Sequence, residues 1–193
     1  MFDYITLSTA SDLDYLVSLE EARHHLRIQD DYDNDYIQTL IVVAKDVAEK
    51  YLNRHILESE ILIQTDRVDM KLPQGAANSI SEVTYENQRD DDGSRFVLDP
   101  TLYNFNNVTG SLNLTKDGRD AIRNEYPFRW QVTFMTGWAD DEVPTPIKQA
   151  ILLLIGTMYE SREDSVVGQG VTVSNLSMSH KYLLDKYKLR RFG

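Results

Sequence analysis

The sequence predicts an α+β protein: a helical core of long amphipathic helices, with a small antiparallel β module inserted between its two halves. Three observations predict it. Apolar residues recur at a helical period between Tyr36 and Leu52. That period is lost from about residue 57 to residue 138, where short β-rich runs alternate with turn residues. It returns after Pro144-Thr145-Pro146. The expected division is residues 1–57 as an N-terminal helical half, 58–138 as the β module and 139–193 as a C-terminal helical half with a basic tail. Both helical halves are expected to pack as one domain.

Residues 1–17 read as a weakly structured leader. Ser18 and Glu21 then form an S-x-x-E capping box, which satisfies two orphan amides at a helix start. The first helix runs over about residues 19–27, with Leu19, Ala22 and Leu26 as a narrow apolar stripe. Residues 29–32 break it. Asp33 can cap the next helix, and Asp35 suits its first turn. Its apolar face comprises Tyr36, Ile37, Leu40, Ile41, Ala44, Val47, Ala48, Tyr51 and Leu52.

Strands are expected at residues 60–68, 80–86, 95–98, 103–106, 111–114 and 129–136. Pro73-Gln74-Gly75, Asp90-Asp91-Asp92-Gly93 and Asp117-Gly118 punctuate them as turns. Such spacing suits a small antiparallel sheet, sandwich or barrel. In the next helix Thr145 is the expected N-cap and Pro146 the first helical residue. Ile147, Ala150, Ile151, Leu154, Ile155, Met158 and Tyr159 form its apolar face. Leu152 and Leu153 widen that face, which places the helix at the centre of the core. A loop over residues 165–179 with Gly168 and Gly170 precedes a short final helix over 179–187.

The chain has 193 residues, 41% of them hydrophobic and 26% charged, a globular composition with enough length for a core. It has no cysteine, which excludes a disulfide framework, a thiolate metal site and a cysteine nucleophile. The first 16 residues carry Asp3, Asp12 and Asp14 and no basic stretch, unlike a signal peptide. No apolar run approaches the roughly 20 residues of a membrane span. The formal net charge of −11 argues against general DNA binding. Charge is uneven, however: from His180 on, Lys181, Lys186, Lys188, Arg190 and Arg191 face one acid, Asp185, so this tail is +4 and the rest −15. The tail reads either as a solvated helix end or as a contact for an acidic neighbour or DNA.

Tests for chemistry fail on spacing. An EF-hand loop starting at Asp31 would need Gly where Tyr36 stands and Glu where Val42 stands. His24 and His25 are adjacent, about 100° apart on a helix, and cannot share a metal as residues four apart do. No G-x-S-x-G elbow occurs. Gly168-Gln169-Gly170 lacks the spacing of a nucleotide cradle. No catalytic residue, metal ligand or cofactor is therefore expected.

Two stretches resemble a known family. The first is Val17-Ser18-Leu19-Glu20-Glu21-Ala22-Arg23-His24-His25-Leu26-Arg27-Ile28, an acidic linker, then Ile37 to Leu52 with Asn53-Arg54. The second is Val143-Pro144, then Ile147-Lys148-Gln149-Ala150-Ile151-Leu152 and Tyr159-Glu160-Ser161-Arg162-Glu163, with the terminus Leu183-Leu184-Asp185-Lys186-Tyr187-Lys188-Leu189-Arg190-Arg191-Phe192-Gly193. In order and spacing they resemble the head–tail connector (head-completion adaptor) family of tailed bacteriophages, in its longer branch with a β insertion. The resemblance implies a non-enzymatic virion protein of the neck, assembled in the host cytoplasm. It implies a ring, twelve-fold in the virion, docked under the portal protein. Such a ring extends the DNA channel and carries a neck or tail-completion protein. DNA would pass the lumen without specific binding, and no membrane is involved.

On that reading Lys181, Lys186, Tyr187, Lys188, Arg190, Arg191 and Phe192 anchor on the portal, and removing residues 180–193 spares the fold. Asp90, Asp91, Asp92, Asp140, Asp141 and Glu142 are the candidate channel-facing acids, which would repel phosphate. The alternative is a DNA-packaging-associated protein that binds DNA through its basic tail.

Overall fold

The structure, a computed structural model, describes residues 3–9, 16–72, 77–87, 93–123, 125, 127–139, 141–161 and 178–189. In chain order the elements are β1 (Asp3–Thr9), α1 (Leu19–Leu26), α2 (Asn34–Leu52), β2 (Ser59–Thr65), β3 (Met70–Lys71), β4 (Ala77–Asn87), β5 (Arg95–Val97), a 3₁₀ turn (Pro100–Leu102), β6 (Tyr103–Asn106), β7 (Ser111–Leu114), α3 (Lys116–Ala121), β8 (Pro127–Thr136), α4 (Thr145–Glu160) and α5 (Met178–Asp185). The protein is thus α+β. The chain forms two compact units: Met1–Ala10 with Leu57–Gly137, and Ser11–Ile56 with Trp138–Gly193.

In the first unit a five-stranded antiparallel sheet has the order β1-β2-β8-β4-β5, and a three-stranded sheet has the order β3-β7-β6. Alternation along β2 and β8 sends Ile61 and Ile63, and Trp130, Val132 and Phe134, to a buried face. Register pairs Ile61 with Phe134 and Ile63 with Val132, and on the other side of β8 pairs Val83 with Val132. Leu72, Leu98, Leu112 and Ile122 complete this core, with Phe105 and Leu114 of the smaller sheet packed against it. The sequence placed the core in the helices, but the β unit has one of its own. Strand alternation on two sheets supplies enough apolar side chains to fill it.

Two further expectations fail here. Residues 3–9 are not a leader but the edge strand β1, paired antiparallel with β2 through Tyr4↔Ile63 and Thr6↔Ile61. The partner lies far downstream, so nothing local marks the segment as a strand. Asp117-Gly118 is not a hairpin turn but lies inside α3, with Thr115 Oγ1 accepting from the Gly118 amide. A Cβ on Gly118 would sit 2.1 Å from the Leu102 carbonyl oxygen, so glycine serves close approach there. The β4–β5 hairpin does form, and Gly93 has φ +72°. Asp90, Asp91 and Asp92 lie outside the described residues.

The second unit is helical. The capping box of Ser18 and Glu21 forms as expected. α2 buries Ile37, Leu40, Ile41, Ala44, Ala48 and Leu52, while α4 buries Ile147, Ala150, Ile151, Leu154 and Ile155. α4 packs against α1, α2 and α5. Asp33 holds the N-cap position of α2 without a capping hydrogen bond, because its carboxylate accepts from the Tyr159 hydroxyl instead. This bond ties the start of α2 to the end of α4. The N-cap of α4 is Pro144 rather than Thr145, which is already helical. No helix among the described residues is long and apolar enough to cross a membrane.

Glu49 holds the end of α2 in place. Its carboxylate accepts from the Ile56 amide at 2.8 Å and from Lys45 at 3.2 Å, and His55 Nδ1 lies 3.5 Å away. Burial raises its pKa, but the His55 and Ile56 contacts and the Lys45 charge outweigh burial and leave it below the ordinary 4.5. A depressed folded pKa adds stability that is present above about pH 4.5 and lost as pH falls through the lowered value. Glu49→Gln should cost about 2 kcal/mol at neutral pH. Its deficit should shrink on acidification, as read by urea unfolding at both pH values. An equal deficit in acid would show that the carboxylate charge is not what stabilises.

Candidate docking surface

The C-terminal surface is built on the end of α2. Asn53 adopts a left-handed conformation (φ 56°), which stops the helix and turns the chain. Arg54 then stacks its guanidinium 3.7 Å from the centre of the Trp138 ring. Trp138 donates its backbone amide to the Ile56 carbonyl at 2.9 Å, and Tyr187 meets its ring edge-on with centroids 6.2 Å apart. Burial lowers the Arg54 pKa to about 10, which still leaves it charged at neutral pH. Arg54 and Trp138 are far apart in sequence, and no spacing rule joins them.

The tail is woven into this unit as far as Leu189. Leu184 of α5 is fully buried. Asp185 accepts from the Tyr51 hydroxyl. Lys188 Nζ lies 4.0 Å from the centre of the Tyr51 ring. Leu189 donates its amide to the Leu52 carbonyl at 2.9 Å and accepts from Asn53 Nδ2 at 3.0 Å. The expectation that residues 180–193 can be removed with the fold intact is therefore corrected, because Leu184 and the Leu189 strap belong to the packed unit.

Of the seven tail residues singled out, Lys181, Lys186 and Lys188 are exposed, and Tyr187 is half-buried against Trp138. Arg190, Arg191 and Phe192 lie outside the described residues, as does Asp140. Asp141 and Glu142 are exposed just ahead of α4. Among the described residues no group of three or more His, Asp or Glu side chains could hold a metal ion.

Two grooves flank α4. One, of about 340 Å³, has the buried Leu154 and Leu184 along its floor, with Val47, Lys50, Lys181 and Lys188 at its exposed edge. The other, of about 380 Å³, is lined by Ser18, Glu20, Glu21, His24 and His25 of the α1 region and by Leu152 of α4. Sequence reading missed both. Their linings come from separate helices, and only Lys181 and Lys188 among them were expected to be docking residues.

No curated protein matches the chain. Three solved structures share its fold over nearly all of both chains. A chain in the neck of an empty GTA particle (computed with C6 symmetry) has a TM-score of 0.69 at 15% identity, covering 100% of this chain and 97% of that one. A chain in the virion of a native gene transfer agent (GTA) particle has a TM-score of 0.68 at 13% identity, covering 98% and 96%. A chain in the neck of a native GTA particle (computed with C12 symmetry) has a TM-score of 0.63 at 15% identity, covering 100% and 97%. At such identity the likeness is one of fold. In sequence, residues 16–109 match the phage gp6-like head-tail connector protein family, a span holding α1, α2 and the strands β2 to β6 but not β1 or the closing helices. That match covers just under half of the chain.

Proposed function

We propose that this protein is a structural part of the neck of a phage or phage-like particle. It docks as a ring under the portal, extends the DNA channel and offers a platform to the next neck or tail protein. The single observation that carries this reading is the family match over residues 16–109. The neck chains that share the fold end to end support it. The helical halves act as one domain that provides the subunit contacts, with the β module as an insertion that carries its own core. A twelve-fold ring is the expected form in the virion.

Lys181, Lys186 and Lys188, exposed beside the basic end of the chain, support portal docking through the tail. Asp141 and Glu142, together with Asp90, Asp91, Asp92 and Asp140, are the acids that would face the channel and keep DNA sliding. The matched family is that of a structural connector protein, which supports a non-enzymatic role.

Electron microscopy of particles made with this gene disrupted tests the reading. Filled or leaking heads beside separate, complete tails are expected. Normal infectious particles would overturn the reading. Empty procapsids would favour the alternative, a packaging protein that grips DNA through the exposed lysines of the tail. That alternative further requires duplex affinity that falls steeply with salt.

A further inference from the structure

The two grooves beside α4 are opposite in charge and lie on opposite sides of one helix. Leu154 opens on the basic groove and Leu152 on the acidic one. Two residues apart on an α-helix means about 200° around its axis. One groove presents Lys50, Lys181 and Lys188, all exposed, above an apolar floor. The other presents Glu20 and Glu21, also exposed, together with Ser18, His24, His25 and Leu152. Each therefore combines an apolar centre with a charged rim, which is the anatomy of a protein contact.

The basic groove also continues onto a bare apolar stripe. Val43 and Val47 of α2 are 41% and 43% exposed, one helical turn apart on the same face. The chain carries −11 overall, so two copies repel one another unless opposite charges are set locally face to face. A contact that pairs two different faces of the same molecule is heterologous. It leaves one free groove on each end of every open assembly, and it closes into a ring when the rotation per copy divides a full turn.

We propose that the basic groove of one copy receives the α1 acidic groove of the next, so that Lys50 and Lys181 face Glu20 and Glu21 across a head-to-tail contact between subunits. This rests on the ring reading given above and names the surfaces that would form it. The Val43–Val47 stripe extends the same contact.

The absence of cysteine from the chain makes a direct test clean. The full-length chain with Glu20→Cys and Lys181→Cys, treated at millimolar concentration with a short bismaleimide, should give a ladder of covalent trimers and larger species. Either single-cysteine chain should stop at dimers. Both positions are exposed, and a melting curve confirms that the variants fold. If this pair does not fold, His24→Cys with Lys50→Cys reads the same contact. Charge reversal gives a second readout by sedimentation. Glu20→Lys and Lys181→Glu should each weaken self-association by about tenfold or more. A mixture of the two single variants should regain association, because each keeps one intact groove and the two reversed charges attract one another. A folded double-cysteine chain that gives no ladder, or single reversals that leave association unchanged, overturns the pairing. The neck role would then still stand or fall by the microscopy of gene-disrupted particles.

Discussion

Gly137→Ala should destabilise the β unit by about 3 kcal/mol or more, among the largest effects of any single substitution in this chain. Gly137 follows β8 and has φ +94°, a conformation that strains any residue with a Cβ. The added carbon would also sit 2.2 Å from the Leu57 carbonyl oxygen and 2.9 Å from the Glu58 amide nitrogen. Those atoms are backbone leading into β2, so relief requires moving a strand rather than a side-chain tip. The Gly137 carbonyl also accepts from Asn78 Nδ2 at 2.8 Å, so a shifted backbone loses that bond too. Gly93→Ala is the control. Gly93 has φ +72°, but a Cβ there meets nothing within 4 Å, so its cost is the conformational one alone, about 1 kcal/mol. Urea unfolding of the two variants checks the comparison. Equal losses would mean that the close approach at Leu57 carries no weight.

Truncation should divide the C-terminal tail sharply. A chain ending at Leu189 should melt within about 0.5 kcal/mol of the full protein, since the strap from Leu189 to Leu52 and Asn53 is retained. A chain ending before α5 loses Leu184 from the interior and leaves Leu154 and Tyr51 without their cover. Leu184→Ala alone should cost about 2–5 kcal/mol, because the side chain is fully buried and its removal leaves a cavity. Thermal melting of the three proteins reads stability, and pull-down on purified portal reads docking. If the basic end anchors on the portal, the chain ending at Leu189 should fold normally yet bind more weakly. Undiminished binding would show that Arg190, Arg191 and Phe192 are not the anchor.

Local patterns exposed much of this fold. The helical periods of α2 and α4, the Ser18–Glu21 box and the strands β4 to β7 were legible because each is written within a few consecutive residues. β1 was not, since Tyr4 and Thr6 become a strand only through Ile63 and Ile61. Gly118 misled because a glycine after an aspartate ordinarily marks a turn. Its reason for being glycine is the Leu102 carbonyl on another segment.

The candidate surface divides the same way. The excess of Lys181, Lys186 and Lys188 over acids in the tail is visible in the order of residues. That Tyr187 closes on Trp138, that Lys188 covers Tyr51 and that Lys181 shares a groove with Val47 and Lys50 is not. By itself the sequence determined the α+β class, the limits of its long helices, the basic charge of its C-terminal tail and, over residues 16–109, a likeness to the phage gp6-like head-tail connector family. Only the tertiary structure decided that the β unit has its own core, that the tail is packed as far as Leu189, and that basic and acidic grooves lie on opposite sides of α4. The physical reason is range. Periodicity and charge are properties of neighbouring residues, whereas a core, a strap or a groove exists only where side chains distant in the chain meet.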